Sequence, residues 1–308
     1  MSLATRETKF GISLPNQILP DPSVDSLVDV ALTADRLNFD SVWVGDRIFH
    51  KVLPVLDPLV LLSYVASRTT RVRLGTAVLI LPLRNPVSLA KTLSTIDFLS
   101  NGRLVLGLSL GGREDDYKAV GASWEEKTNL FVRDIRLMKK LWTESNVTLS
   151  SGEWKMESVT MLPKPRQLPQ MLFGGYAEGA LKRAGRLADG WMAGTQMSPE
   201  KFFENWNKVM AYAKSYGRDP TTLEPAKLWF IHVSEDREAA KRLLTSRLET
   251  FYGKYDVDAN CIFGTPEVCA SRLREYYKAG VRTFILTPVE ADVEQVKRIH
   301  EEIVPNLP

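Results

Sequence analysis

Three short loops of the sequence carry glycine immediately after an apolar run: Gly111-Gly112, Gly174-Gly175 and Gly194-Thr195. Glycine allows a ligand to approach the backbone closely, and successive backbone N–H groups can cradle a phosphate. Gly174-Gly175 also stands before a predicted helix with Glu178 in its first turn, where backbone N–H groups and the helix dipole favour an anion. A strand-end glycine can serve a tight turn alone, but several that converge on one face favour a bound cofactor.

A second set of residues could carry charge or protons at a strand end: Asp46, Arg47 and His50. Arg47 stays protonated, so it would act through its charge by stabilising an anion, and it is a poor base. His50 could supply a group that titrates near neutral pH, although a lone histidine in a loop is more often a surface residue. Asp46 could orient a neighbour, cap Arg47 or serve a structural role.

The sequence offers little for a metal site. Its three histidines, His50, His232 and His300, stand far apart, whereas a metal-dependent barrel hydrolase needs clustered ligands. Cys261 and Cys269 are too widely spaced for a C-x-x-C metal knuckle and too few for a disulfide framework. We therefore predict no metal ligands and two reduced thiols.

The stretch 71–112 indicates how these loops are positioned. Residues 72–77, apart from Arg73 and Thr76, and residues 104–110, apart from Ser109, are apolar runs of the kind typical of buried strands. Between them, Asn85-Pro86 supplies a helix cap and a proline at the first helical position, and Asn101-Gly102 can end the helix with a left-handed backbone. Strand, helix and strand in this order predict a parallel sheet covered by helices. The predicted buried stripe of the helix consists of Leu89, Leu93, Ile96 and Leu99.

About eight such strands alternate with helices, so we predict a single (β/α)8 TIM barrel as one domain over residues 1–308. Residues 147–169 are alternating and proline-rich, which predicts a surface insertion around residues 145–170. A Rossmann sheet would show the same alternation, but no G-x-G-x-x-G follows the first strand. In a parallel barrel the active site gathers at the C-terminal ends of the strands, where the glycine loops begin.

Composition excludes several classes of function. The net charge of +3 is small, and basic residues are scattered among acidic ones, so we expect no nucleic-acid partner. No apolar run approaches the ~20 residues needed to span a bilayer, so we expect no membrane segment. The start of the chain, MSLATRETKFG, is polar and lacks a signal-peptide core, which favours a cytoplasmic location.

The segments GTAVLILPLRNP and LAKTLSTIDFLSNGRLVLGL resemble the luciferase-like monooxygenase family of flavin and deazaflavin (coenzyme F420) enzymes. The resemblance continues through residues 163–191 and 263–281 and covers nearly the whole chain. It implies a barrel enzyme, an oxidoreductase that uses reduced FMN or reduced F420 to oxygenate or reduce a small organic substrate. The sequence does not separate the two cofactors. The positions that carry the motif are Gly75, Thr76, Val78, Pro86, Asp97, Leu99, Ser100, Gly102 and Arg103.

The resemblance also implies particular site residues. It implies a cis peptide bond between Ala77 and Val78 that supports the flavin ring, and it places the cofactor phosphate at Gly174-Gly175 and Gly194-Thr195. Asp116 falls where relatives carry an acidic residue, which implies a contact with the cofactor. Deazaflavin relatives usually have Asp-His, with the histidine in proton transfer, where this chain has Asp46-Arg47. This departure leaves a non-catalytic flavin-binding barrel as an alternative.

The resemblance implies partners as well. Family members often dimerise through barrel helices, so we expect a homodimer. A flavin reductase or a deazaflavin-reducing enzyme would supply the reduced cofactor, and the remaining partner would be a small-molecule substrate.

Overall fold

The computed structural model of the protein describes residues 7–20, 23–151 and 154–308. The strands within these ranges are β1 (Lys9–Ser13), β2 (Ser41–Val44), β3 (Arg73–Ile80), β4 (Leu104–Ser109), β5 (Val147–Ser151), β6 (Trp154–Val159), β7 (Gln170–Gly174), β8 (Gly190–Ala193), β9 (Glu224–Val233), β10 (Cys261–Gly264) and β11 (Thr283–Pro288). The α-helices are α1 (Val24–Arg36), α2 (Pro58–Ala66), α3 (Pro86–Leu99), α4 (Glu114–Ala119), α5 (Lys127–Thr143), α6 (Glu178–Leu187), α7 (Pro199–Ser215), α8 (Arg237–Tyr252), α9 (Val257–Asn260), α10 (Pro266–Lys278) and α11 (Val293–Arg298).

Eight of these strands form a closed parallel barrel. The order around the ring is β1, β2, β3, β4, β7, β8, β9 and β11, and β11 pairs with β1 to complete it. A ring that closes on itself is not a Rossmann sheet, which has two open edges. The predicted TIM barrel is therefore confirmed.

A ninth strand, β10, lies beside the barrel and was not predicted. It pairs with residues Phe230–Val233 of β9, whereas β8 pairs with residues Glu224–Lys227 of the same strand. The ten residues of β9 are long enough to serve both partners.

The predicted surface insertion is an antiparallel hairpin of β5 and β6. Its return segment is anchored by Lys164, whose Nζ donates hydrogen bonds to the carbonyl oxygens of Leu141 (3.1 Å) and Glu144 (2.6 Å) at the end of α5. The hairpin is therefore tied to the outer helical layer and adds no strand to the barrel.

The barrel interior is a packed core. One buried cluster draws a residue from each of six barrel strands, so it must lie inside the ring: Trp43, Val105, Leu172, Met192, Ala226 and Ile285. The Trp43 ring occupies the place where a Cβ at Gly75 would lie, since that atom would come within 2.1 Å of it. This core supports the mouth of the barrel from below.

The organising β3–α3–β4 unit forms largely as predicted. Asn85 Oδ1 accepts the N–H groups of Val87 (3.0 Å) and Ser88 (3.1 Å), and both Asn101 and Gly102 have positive φ at the end of α3. One expectation was wrong: Leu99 is 64 % exposed, because the buried stripe of α3 ends at Ile96 and Asp97.

The arginine of the recognised motif is structural. Arg103 donates hydrogen bonds to the carbonyl oxygens of Ala66 (3.0 Å), Thr69 (2.9 Å), Val72 (2.8 Å) and Ser100 (2.7 Å). It therefore joins the loop before β3 to the loop before β4, which holds both strands in register.

Candidate active site

The glycine loops meet at one cavity at the C-terminal mouth of the barrel. Its volume is about 540 Å³, within the usual range for small-molecule sites. Every predicted cofactor-binding residue except Asp116 lies on its wall. The predicted cofactor-binding residues that line the cavity are Ala77, Val78, Gly111, Gly112, Gly174, Gly175, Gly194 and Thr195.

The end of β3 carries the irregularity expected from the resemblance. The Ala77–Val78 peptide bond is cis, which confirms that prediction. The pairing of β3 with β4 shifts in register between Thr76 and Leu79, so Ala77 and Val78 form a bulge. Both residues line the cavity.

The Gly174-Gly175 loop leads into a helix whose first N–H groups lack a side-chain cap. The N-cap of α6 is Ala177, which has no side-chain oxygen, and Gly175 has a φ of +116°. The carboxylate of Glu178 accepts hydrogen bonds from Lys208 Nζ (3.1 Å) and the Tyr212 hydroxyl on α7. The N-terminus of α6 is therefore available to an anion from the cavity.

The Gly194-Thr195 loop is held from beneath by a buried lysine. Lys227 Nζ donates hydrogen bonds to the carbonyl oxygens of Gly194 (3.0 Å), Thr195 (3.1 Å) and Leu228 (3.2 Å). Complete burial lowers the pKa of Lys227 well below its usual value. Sequence reasoning missed this residue, although a lysine inside the apolar strand β9 was a visible signal.

Thr195 has a second buried partner. The Tyr255 hydroxyl donates a hydrogen bond to Thr195 Oγ1 (2.9 Å), and burial raises the pKa of Tyr255 far above its usual value. The loop is thus fixed by side chains of β9 and of the segment after α8, both distant in sequence.

A second pocket of about 250 Å³ adjoins the first and contains the predicted charged residues. It shares Ala77, Val78, Gly111 and Gly112 with the larger cavity. Its charged lining residues are Asp46, Arg47, Arg113 and Asp116.

Asp46 is tied to the end of β3. Its carboxylate accepts hydrogen bonds from the N–H of Ile80 (3.0 Å) and from Arg84 Nη2 (3.0 Å). Burial raises the pKa of Asp46, and Arg84 opposes part of that effect. Both carboxylate oxygens are therefore engaged in joining β2 to β3.

Arg47 lies over the Phe251 ring, with its guanidinium carbon 4.5 Å from the ring centroid. Its Nε donates to the carbonyl oxygen of Phe49 (3.1 Å). Burial and the neighbouring Arg113 lower the pKa of Arg47. Arg113 Nε is itself 3.7 Å from Asp116 Oδ2, and the charge of Asp116 opposes part of the lowering of the Arg47 pKa.

His50 does not line any of the pockets described at this mouth. Its Nδ1 accepts the N–H groups of Val52 (3.2 Å) and Leu53 (2.9 Å), and its ring stacks on Phe251 at 5.1 Å. Its Nε2 lies 3.3 Å from the carbonyl oxygen of Phe251. Both ring nitrogens are thus occupied by backbone groups.

Tyr252, at the end of α8, was not predicted to belong to the site. It lines both pockets and a smaller one of about 50 Å³ beside the loop after β1. The residue is 44 % exposed into this mouth, yet the surrounding protein desolvates its hydroxyl and raises the pKa of Tyr252 to about 12. Nothing in its local sequence distinguishes it from an ordinary helix-end tyrosine.

A family model described as luciferase-like monooxygenase matches residues 8–256. The chain belongs to the luciferase-like monooxygenase family. The resemblance read from the sequence is therefore confirmed, over four-fifths of the chain and all of the glycine loops.

Individual proteins that are similar to this chain match it over nearly its whole length. An F420-dependent glucose-6-phosphate dehydrogenase of Amycolatopsis mediterranei is 25% identical over 91% of this chain and 94% of its own length. The structure of an F420-dependent secondary alcohol dehydrogenase in complex with an F420–acetone adduct has a TM-score of 0.86, with 20% identity over 98% of this chain and 100% of that one. The oxygenating constituent of 3,6-diketocamphane monooxygenase of Pseudomonas putida, in complex with FMN, has a TM-score of 0.80, with 15% identity over 98% and 99%.

Two other kinds of feature are absent from the described residues. None of their helices has the length and apolar character needed to cross a membrane. Within the same ranges, no group of three or more His, Cys, Asp or Glu side chains is placed to hold a metal ion.

Proposed function

We propose that this protein is an F420-dependent dehydrogenase or reductase that acts on a small organic substrate at the C-terminal mouth of the barrel. As a member of the luciferase-like family it is a flavin- or deazaflavin-dependent oxidoreductase. The observation that carries the proposal is the cavity of about 540 Å³ bordered by all the glycine loops. The F420-dependent relative from Amycolatopsis, which matches almost end to end, favours F420 over FMN.

The cavity fits such a cofactor. At Gly112 and Gly194 a Cβ would meet no atom within 4 Å, so the backbone itself faces open space that a ligand can fill. The ring would lie against Ala77 and Val78, and the phosphate would lie at the Gly174-Gly175 and Gly194-Thr195 loops. When bound, reduced F420 supplies a hydride to an acceptor, whereas reduced FMN lets molecular oxygen react with a substrate.

The charged pocket beside this cavity would receive the substrate. Arg47 would hold an anionic group of the substrate, because its guanidinium stays protonated and has no carboxylate within ion-pair distance in the described part of the chain. Asp116 would limit the mobility of Arg113 at the rim, and its contact with the cofactor stays a proposal. Asp46 would act as a positioning residue through Ile80 and Arg84, and His50 would shape the loop beneath Arg47.

A second candidate function is FMN-dependent oxygenation. It is favoured by Arg47, which stands where deazaflavin relatives usually carry a histidine for proton transfer. A third, a barrel that binds its cofactor without turnover, rests on the same departure. All three share the cofactor site and differ in the reaction of the bound cofactor.

The protein would depend on a partner enzyme that returns the cofactor to its working redox state. For F420 this would be a deazaflavin-reducing enzyme, and for FMN a flavin reductase. We also propose a homodimer, as is common in the family. The two buried free thiols, Cys261 and Cys269, suit the reducing cytoplasm that we propose as its location.

The test is a pair of titrations and then a turnover assay. We expect purified protein to bind F420 at least ~10-fold more tightly than FMN, measured by quenching of cofactor fluorescence, and to change the absorbance of F420 with at least one alcohol, aldehyde or sugar phosphate. Tighter binding of FMN with oxygen uptake would establish the second candidate. Binding without turnover over a broad panel would establish the third, and binding of neither would refute all three.

Arg47→Gln tests the substrate role in the same assay. We expect unchanged F420 affinity and a ~10- to 100-fold lower kcat/KM for an anionic substrate, because one charge-assisted contact is lost. An equal loss with neutral substrates would contradict the role in anion binding.

A further inference from the structure

Arg183 of α6 lines the cavity but takes no part in the hydrogen bonds and ion pairs that hold the loops of the mouth together. We infer that Arg183 is the binding partner of the cofactor phosphate, and that it makes this protein selective for phosphorylated over phosphate-free flavins or deazaflavins. This inference rests on the proposed function, since it assumes that a cofactor of this class occupies the cavity.

The position of Arg183 supports this role. The side chain is half-buried and lines the 540 Å³ cavity together with Gly174, Gly175 and Ala177. A Cβ at Gly179 would lie 3.5 Å from Arg183 Nη1, so the guanidinium runs back along the first turn of α6. It therefore reaches the same end of the cavity as the uncapped N–H groups of that helix.

The side chains that line the cavity carry a net positive charge. Among the described residues that line it, Arg183 is the only one with a charged side chain. Within the described ranges Arg183 also makes no hydrogen bond, ion pair or ring contact. Burial accordingly lowers the pKa of Arg183. Partial burial of a guanidinium without an anionic partner is unfavourable in free energy. The presence of Arg183 in the cavity wall therefore indicates an anionic ligand.

The nearest acidic residue on the helix is turned away. Glu178, in the first turn of α6, is held by Lys208 and Tyr212 on α7, so it does not neutralise Arg183 within the cavity. The helix N-terminus and Arg183 thus add their positive potentials at one point. A cofactor phosphate, whether a monoester as in FMN or a diester as in F420, can accept hydrogen bonds from both, because its non-bridging oxygens can meet a guanidinium fork and backbone N–H groups together.

The experiment compares matched ligand pairs that differ only in the phosphate. Dissociation constants are measured for FMN and riboflavin, and for the 5′-phosphate of the deazaflavin core and the phosphate-free core, with wild type, Arg183→Gln and Arg183→Lys. Arg186→Gln is the control, because Arg186 lies on the same helix, is exposed, and contacts the Tyr216 ring instead. Melting temperatures confirm that each variant is folded.

We expect Arg183→Gln to weaken binding of the phosphorylated member of each pair by ~10- to 100-fold and to change the phosphate-free member less than ~3-fold. Arg183→Lys should recover part of the loss, and Arg186→Gln should behave as wild type. Equal weakening of both members, or no weakening, would overturn the inference.

Inorganic phosphate separates this inference from the proposed function. We expect phosphate to raise the melting temperature of wild type and Arg186→Gln more than that of Arg183→Gln. That result would support the anion site even if wild type bound neither cofactor. If phosphate affected the three proteins equally and the ligand pairs showed no difference, the assignment of Arg183 would be wrong whatever cofactor binds.

Discussion

Some glycines near the mouth of the barrel are required by packing, whereas others face open space. The atoms that a Cβ would meet at each position distinguish the two classes. At Gly107 a Cβ would lie 2.1 Å from the carbonyl oxygen of Thr76, so this glycine is required by packing beneath the β3 bulge. At Gly112 and Gly194 a Cβ would meet no atom within 4 Å, and φ is not positive. Their lack of a side chain serves no internal contact, which fits residues kept small for a ligand.

Gly194→Ala should therefore separate binding from stability. We expect its free energy of unfolding to equal that of wild type or exceed it by up to about 1 kcal/mol, because alanine reduces the freedom of the unfolded chain. Cofactor affinity should fall ~10-fold, since the added methyl group enters the cavity. Chemical denaturation and fluorescence titration measure the two quantities.

Gly107→Ala is the matched control and should behave in the opposite way. Its methyl group would collide with backbone, so we expect a loss of about 2 kcal/mol or more in the free energy of unfolding. If Gly194→Ala were equally destabilised, or kept full cofactor affinity, its assignment to the ligand wall would be wrong.

At the level of elements, the mouth is held together by side chains that join neighbouring strands and loops. Lys227 of β9 fixes the loop after β8, and Asp46 after β2 fixes the end of β3. The three carbonyl acceptors of Lys227 match the three protons of its ammonium form, and the Trp229 ring centroid lies 4.4 Å from its Nζ. These contacts offset part of the cost of burying the amino group.

The buried Lys227 predicts a pH-dependent stability. Folding lowers the pKa of Lys227 from its ordinary value of 10.5. At pH values between the lowered pKa and 10.5, the unfolded chain therefore binds more protons than the folded chain. The contribution of Lys227 to stability is therefore present above pH 10.5 and is lost as the pH falls through the lowered pKa of the folded state.

Denaturation of wild type and Lys227→Met across this range measures the effect. We expect the free energy of unfolding of wild type, relative to Lys227→Met, to rise as the pH is raised toward 10.5. The exposed Lys254→Met should show no such trend. A difference between wild type and Lys227→Met that is constant with pH would contradict a lowered pKa at this position.

For the whole molecule, the outer layer of helices carries several exposed apolar side chains. On α2, Val60 is 71 % exposed, and on the neighbouring α3, Phe98 and Leu99 are 55 % and 64 % exposed. Helix α2 is apolar around most of its circumference, which a helix on the outside of a monomeric barrel does not need. We propose this α2–α3 surface as the homodimer interface.

Substitution of this surface tests the dimer. We expect wild type to elute at twice the mass of the chain in light scattering coupled to size-exclusion chromatography, and Val60→Glu with Phe98→Glu to shift the mass to that of a monomer. Val268→Glu on α10, 48 % exposed, is the control and should remain dimeric. A monomeric wild type would refute the proposal, and a dimer that tolerates the double substitution would place the interface elsewhere.

The sequence by itself determined the alternation of strands and helices, and with it the mouth. Apolar runs such as residues 104–110, with capping residues such as Asn85 and Asn101, define elements through local propensity and burial alone. Closure of a parallel barrel then brings all strand ends to one face, so the glycines after β4, β7 and β8 had to meet there. The Ala77–Val78 cis bond was predicted only through the family resemblance.

Only the tertiary structure decided which side chains complete the site. Lys227, Tyr252 and Arg183 lie on elements far apart in the chain, and their roles depend on the groups that pack around them rather than on local pattern. His50 shows the converse, because its ring nitrogens are taken up by Val52, Leu53 and Phe251 in a way that its neighbours in sequence did not indicate. Hydrophobic periodicity specifies where strands end, whereas the partner of a buried polar group depends on contacts between segments that meet only when the barrel closes.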